Sequence, residues 1–252
     1  MSRLDAAKAK VQWAEKHFGD FKDIVFGRST GVDTRQTTVV HYGLQWQPDA
    51  RPTEVVTPSR ECRLAFGDAV HQLRSTLDHI VYALIQPLTT DPKVLRKVDF
   101  PIYVKEKLFR ESKGVGHLRG LLTPAQFTEL EETQPYRRNP SKPEDDWLWV
   151  LSELDNIDKH RTVLVVDPRL MTKRLLADGT LSVVKHRLKA GAQVFEVPLP
   201  TPSEVNLEER VFVVVLAETG LRCDNTTVIN VWREMIASVK GVISNFESKA
   251  LI

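Results

Sequence analysis

The hydrophobic period of this chain changes near residue 161, and that change most limits the folds it can adopt. From residue 57 to residue 160 the apolar side chains recur at helical spacing, over 162–217 they alternate as in strands, and helical spacing returns at 226–249. Long helices are predicted at about 57–86, 143–160 and 226–249. Segments grouped by type favour an α+β fold over a doubly wound α/β fold, in which helices and strands alternate.

The strands are predicted to form an antiparallel sheet. Side chains alternate over 38–46, and we expect this segment to join strands from 162–217, where Ala177-Asp178-Gly179 is typical of a hairpin turn. No repeat and no linker-like segment interrupts the chain. The sequence therefore predicts a single domain over 1–252, helix-rich in 1–160, strand-rich in 162–217 and closed by the helix at 226–249.

Local signals refine the helical part. Thr123-Pro-Ala-Gln126 and Ser141-Lys-Pro-Glu144 both match the capping-box pattern that starts a helix. Trp13, Trp46 and Trp232 lie on or beside apolar stripes, so they are most simply interpreted as core residues.

Composition bounds the class of protein. A chain of 252 residues with 42% apolar and 27% charged residues can bury a core without disulfides or a structural metal. Its net charge of +2 is too small to identify a nucleic-acid-binding protein from bulk electrostatics. The two cysteines are far apart and match no zinc or disulfide pattern. The sequence shows no signal peptide and no apolar stretch of membrane-spanning length, so we expect a soluble, cytoplasmic protein without a membrane partner.

A polar stripe on the helix at 57–86 is the first candidate for chemistry. Residues three and four apart are neighbours on a helix, so Arg74 can pair with Asp78. Three interpretations stay open: a solvated face, a buried hydrogen-bond network and a functional site. Ser and Asp are unfavourable inside helices, and the stripe holds no Lys, which makes it unlike an ordinary solvated face. The stripe contains Asp68, His71, Ser75, Asp78 and His79.

A second polar segment closes the helix at 143–160. Lys159, His160 and Arg161 suit a helix C-terminus, where the macrodipole favours cations. The dipole does not explain Asp155 and Asp158. We therefore expect these two carboxylates to accept hydrogen bonds from a cation elsewhere, with Arg74 as the obvious candidate.

Two blocks of this sequence carry a resemblance. HQLRSTLDH and LDNIDKHR, with Phe100-Pro101-Ile102 between them, are similar to an uncharacterised bacterial protein family that implies no activity. More distantly, Arg74-Ser-Thr-Leu-Asp-His79 resembles the HEPN superfamily, helical RNA-cleaving domains of toxins and phage-defence systems. Their pattern is an Arg followed by a His four to six residues later on one helix.

The resemblance implies a metal-independent endoribonuclease that needs no cofactor and places two copies of the motif across a homodimer interface. His79 is expected to act as general base or acid on the ribose 2′-hydroxyl and the leaving oxygen. Arg74 is expected to hold the scissile phosphate. The products are a 2′,3′-cyclic phosphate and a 5′-hydroxyl. The predicted supporting residues are Asp78, Ser75, His71, Asp155, Asp158 and His160.

Two alternatives stay open, and with them the question whether the protein is an enzyme. In the first, the protein is non-enzymatic and the stripe is a structural network or a partner-binding face. In the second, carboxylates and imidazoles from two helices hold Zn, Mn or Fe. The residues of that metal site are Asp68, His71, Asp155, Asp158 and His160.

Overall fold

The computed structural model describes residues 4–26, 60–96, 98–160, 164–176, 181–187 and 205–251. The predicted strand at 38–46, the expected helix start at residues 57–59, the predicted turn at residues 177–179 and Trp46 lie outside these residues. Within them, a 3₁₀ turn covers Pro143–Asp145. The helices are α1 (Asp5–Phe26), α2 (Arg60–Ile85), α3 (Pro92–Leu95), α4 (Glu106–Glu111), α5 (Lys113–Leu121), α6 (Pro124–Glu132), α7 (Pro135–Arg138), α8 (Trp147–His160) and α9 (Val228–Ser248).

The predicted long helices correspond to α2, α8 and α9. The capping box at Thr123 is confirmed, because its side chain accepts from the Gln126 N–H and the Gln126 side chain accepts from the Thr123 N–H. The capping box predicted at Ser141 is wrong. The chain makes its 3₁₀ turn there, and Asp146 takes over the start of α8 by accepting a 2.8 Å hydrogen bond from the Leu148 N–H.

The core lies where α1, α2, α8 and α9 bury their apolar faces against one another. α1 and α2 run antiparallel, since Lys10 contacts Gln72 while the Phe18 ring lies 6.3 Å from that of Phe66. Phe18 also stacks on Trp232 of α9, with ring centroids 4.5 Å apart. Trp232 is buried, as predicted. The four helices therefore contribute to one hydrophobic core that contains stacked aromatic rings.

The prediction of an α+β fold built on an antiparallel sheet is wrong. The part of the chain whose side chains are described is 72% helix and 3% strand, and no sheet forms a layer of it. The extended segments β1 (Val165–Leu176), β2 (Leu181–Arg187) and β3 (Val205–Ala217) pair with each other in the order β2-β1-β3. Among the residues of these segments whose side chains are described, two belong to the hydrophobic core. The contributing residues are Val166 and Leu216.

Candidate functional site

The polar stripe predicted on α2 is divided between two edges of that helix. One edge faces α8 and the segment of residues 100–102, and His71, Arg74 and Asp78 make their contacts there. The other edge faces α1, where Gln72 contacts Lys10. His79 follows Gln72 by seven residues and so lies on the same side of the helix. We call these the α8 edge and the α1 edge.

At the α8 edge, Arg74 and Asp78 together hold the backbone of Phe100. The Arg74 Nη1 donates to Asp78 Oδ1 at 2.6 Å, which confirms the pairing predicted from their spacing. Arg74 Nη2 donates to the Phe100 carbonyl at 2.9 Å, and the Phe100 N–H donates to Asp78 Oδ1 at 2.8 Å. Phe100 itself is fully buried, and the Arg74 side chain is 13% exposed. This closed ring of contacts, the Arg74 clamp, fixes the segment after α3 to α2.

Asp155 pairs with His71 and Lys159, so its predicted pairing with Arg74 is wrong. The carboxylate is buried in α8 and lies 3.0 Å from His71 Nδ1. It accepts a second hydrogen bond from Lys159 Nζ at 2.6 Å. Lys159 is one turn away on the same helix, which is why no distant cation is needed. The His71–Asp155 contact therefore ties α2 to α8.

Asp158 of α8 lies against Gly67 of α2, and among the described residues it makes no hydrogen bond or ion pair with Arg74. A Cβ atom on Gly67 would stand only 2.5 Å from Asp158 Oδ1, so a larger residue there would force the Asp158 carboxylate to move. Burial is the main cause that raises the pKa of Asp158, opposed by the Leu164 N–H, and the Asp68 and Asp155 carboxylates raise it further. Asp68 itself is exposed. The carboxylate is therefore held where its charge is poorly compensated.

The α1 edge is built differently. Lys10 Nζ donates to Gln72 Oε1 at 2.8 Å, and among the described residues it has no carboxylate partner. His79 is half-buried and makes no hydrogen bond or ion pair within the described part of the chain. Burial, followed by the nearby Lys10 ammonium, lowers the pKa of His79. Both effects favour the neutral imidazole, which lies beside a cation.

Arg74 and His79 do not contact a common partner among the described residues. Five residues correspond to about 140° around a helix axis, so the two side chains leave α2 on different sides. Ser75 is half-buried between the edges, and His160 is exposed at the end of α8. In the described ranges, no group of three or more His, Cys, Asp or Glu side chains is placed to hold a metal ion. The predicted metal set of Asp68, His71, Asp155, Asp158 and His160 is thus not such a group.

Three residues at or beside the α1 edge are not among the site residues predicted from the sequence. Lys10 and Gln72 each look like ordinary surface residues until the pairing of α1 with α2 is known. Trp13 was predicted to be a core residue, and this is wrong because its side chain is 47% exposed. The available signal was the spacing of Lys10, Trp13 and His17, which places a lysine, an indole and an imidazole along one side of α1.

Over the residues that the structure describes, no helix combines the length and apolar character needed to cross a membrane. The chain was also compared with family models, curated proteins and solved structures, and it matches none of them.

Proposed function

We propose that this protein cleaves RNA without a metal ion, with His79 as the general base on the ribose 2′-hydroxyl. One observation carries the proposal: His79 lies beside Lys10 at the α1 edge, and neither ring nitrogen bonds to another described residue. A general base needs a free lone pair within reach of substrate. His79 has that lone pair, since its lowered pKa keeps the ring unprotonated at neutral pH.

The chemistry follows from the two groups. His79 takes the proton of the 2′-hydroxyl while O2′ forms a bond to phosphorus. The P–O5′ bond breaks, the leaving O5′ takes a proton from water, and the products are a 2′,3′-cyclic phosphate and a 5′-hydroxyl. Lys10, whose only described hydrogen bond is to the neutral Gln72 amide, is free to bind the phosphate oxygens as negative charge develops on them.

Arg74 has a different role in this proposal from the one that the resemblance implies. Its guanidinium already donates to Asp78 and to the Phe100 carbonyl, and its side chain is mostly buried. We assign it to holding the 100–102 segment on α2 rather than to binding the scissile phosphate. A homodimer in which two copies of His79 meet stays a prediction from the resemblance.

The non-enzymatic alternative is the second candidate, and the α8 edge favours it. There His71, Arg74, Asp78 and Asp155 all have partners inside the protein. Buried polar groups that satisfy one another stabilise a fold and need no substrate. If the α1 edge proves inert, the whole stripe is a structural network or a partner-binding face.

The test is cleavage of a mixed RNA by purified protein in excess EDTA. The wild type should leave cyclic-phosphate ends, and His79→Gln should reduce the rate by about 100-fold or more with an unchanged melting temperature. His117→Gln, an exposed histidine on α5, is the matched control and should cleave at the wild-type rate. His71→Gln probes the other edge, and loss of activity there with His79→Gln intact would contradict the assignment. Absence of cleavage by the wild type would leave the non-enzymatic candidate.

A further inference from the structure

The α1 edge extends onto α1 as an aromatic surface surrounded by cations. Lys10, Trp13 and His17 follow one another at helical spacing, and the Trp13 and His17 rings are nearly perpendicular, with centroids 5.4 Å apart. Lys16 Nζ lies 4.2 Å from the Trp13 ring centroid. The indole is 47% exposed, so a large part of an aromatic ring is accessible to a ligand. We call these four residues the α1 platform.

The cations of the α1 platform differ from the charged residues on the opposite side of α1 in whether they have a carboxylate partner. Towards α9, Lys8 pairs with Glu247, and Glu15 accepts a 2.7 Å hydrogen bond from Lys240. Charges on that side are neutralised across the helix–helix contact. On the α1 platform, Lys10 and Lys16 have no carboxylate partner among the described residues. Their positive charge is therefore available to an anionic ligand.

We infer that the α1 platform binds single-stranded RNA, with Trp13 stacked on a base and Lys10 and Lys16 on the neighbouring phosphates. The inference rests on the proposed ribonuclease function and names how its substrate is held. An exposed ring among cations is the combination that binds single strands, because every base has a face that can stack and every link carries a charge. Duplex bases are stacked on each other and cannot offer that face.

The position of the platform also fits the proposed chemistry. Lys10 belongs both to the platform and to the α1 edge, where it contacts Gln72 on α2. Gln72 and His79 are seven residues apart on one side of that helix, a rise of about 10 Å. A short strand stacked on Trp13 can therefore cross Lys10 and place a 2′-hydroxyl at His79. Asp68, one turn before Gln72, is the exposed carboxylate that faces the same side and opposes binding.

The experiment measures binding separately from cleavage. A fluorescent single-stranded oligonucleotide carrying 2′-O-methyl groups has no attacking hydroxyl, so its Kd reports the platform alone. Trp13→Ala should weaken binding about tenfold or more, Trp13→Phe should weaken it less, and Asp68→Asn should tighten it. The matched control is Leu108→Ala on α4, which removes an equally exposed apolar side chain, 49% against 47%, and should leave Kd unchanged.

Salt dependence supplies the second arm. Lys16→Gln should weaken binding and lower the slope of log Kd against log salt, because one phosphate contact is lost. Lys107→Gln, on the exposed surface of α4, should leave the slope unchanged. Equal binding by wild type and Trp13→Ala, or preference for a duplex, overturns the inference even if the protein cleaves RNA. If binding depends on Trp13 but natural RNA is not cleaved, the RNA-binding role of the platform is supported and the proposed ribonuclease activity is contradicted.

Discussion

The two edges of α2 carry similar side chains but differ in how those side chains are satisfied. At the α8 edge, His71 is held by the buried Asp155, and Arg74 is held by Asp78 and the Phe100 backbone. At the α1 edge, and within the part of the chain that the structure describes, His79 has no hydrogen-bond partner and Lys10 donates only to the Gln72 amide. One helix thus places one histidine in an internal network and another outside it.

A polar stripe on one helix therefore need not have a single role. Groups with internal partners contribute to stability, and removing one of them leaves the other buried and unpaired. Groups without partners contribute little to folding and keep their lone pairs and charges for a ligand. The comparison therefore predicts that stability effects concentrate at the α8 edge and effects on RNA concentrate at the α1 edge.

The largest expected stability effect is at the Arg74 clamp. Arg74→Ala removes two hydrogen bonds and leaves the buried Phe100 carbonyl unpaired, so the free energy of unfolding should fall by about 2–4 kcal/mol. Lys10→Ala at the α1 edge loses one bond to a half-buried amide and should cost less than about 1 kcal/mol. Urea unfolding at pH 7 measures both. Equal losses for the two variants would mean that the edges do not differ in this way.

Gly67→Ala tests the packing of the α8 edge, and its control is Gly19→Ala, for which the opposite change in stability is expected. Alanine there would place Cβ against the Asp158 carboxylate, which must turn away from its half-buried position, so we expect a loss of about 1–3 kcal/mol. Gly19 in α1 has nothing within 4 Å of an added Cβ. Gly19→Ala should raise the free energy of unfolding by about 0.5–1 kcal/mol, because alanine favours the helix. A stabilising Gly67→Ala would show that α2 and α8 do not cross this closely.

The long helices could be predicted from the sequence because their apolar spacing is local. The same alternation that marks 162–217 as extended carries no information about whether those segments cover the helices. Here α1, α2, α8 and α9 cover one another, so the expected α+β layering was wrong. The capping box at Thr123 could be predicted, whereas the one at Ser141 gave way to Asp146 because a tight turn intervenes.

The site could be predicted only where partners are close in sequence. Arg74 and Asp78 lie one turn apart, and their pairing was correctly expected. The partner of Asp155 across the helices is His71, 84 residues away, and no local rule selects it over Arg74. The exposure of Trp13 likewise depends on which side of α1 meets α2. Pairing of distant helices is the information that local periodicity lacks.

The smallest expected effect is a pH dependence of stability that arises from His79 at the α1 edge. Burial and the Lys10 ammonium lower the pKa of His79 below its ordinary value of about 6.5, so the folded protein favours the neutral ring. The stability that this lowered pKa reflects is fully present above pH 6.5 and is lost as pH falls from there through the folded-state pKa. The stability of wild type relative to His79→Gln should therefore decline on acidification.

NMR titration of the imidazole measures the pKa directly, and Lys10→Gln should raise it only part of the way to 6.5, since burial is the larger cause and remains. A wild-type value at or above 6.5 would mean that His79 is not the neutral base that the proposed cleavage requires.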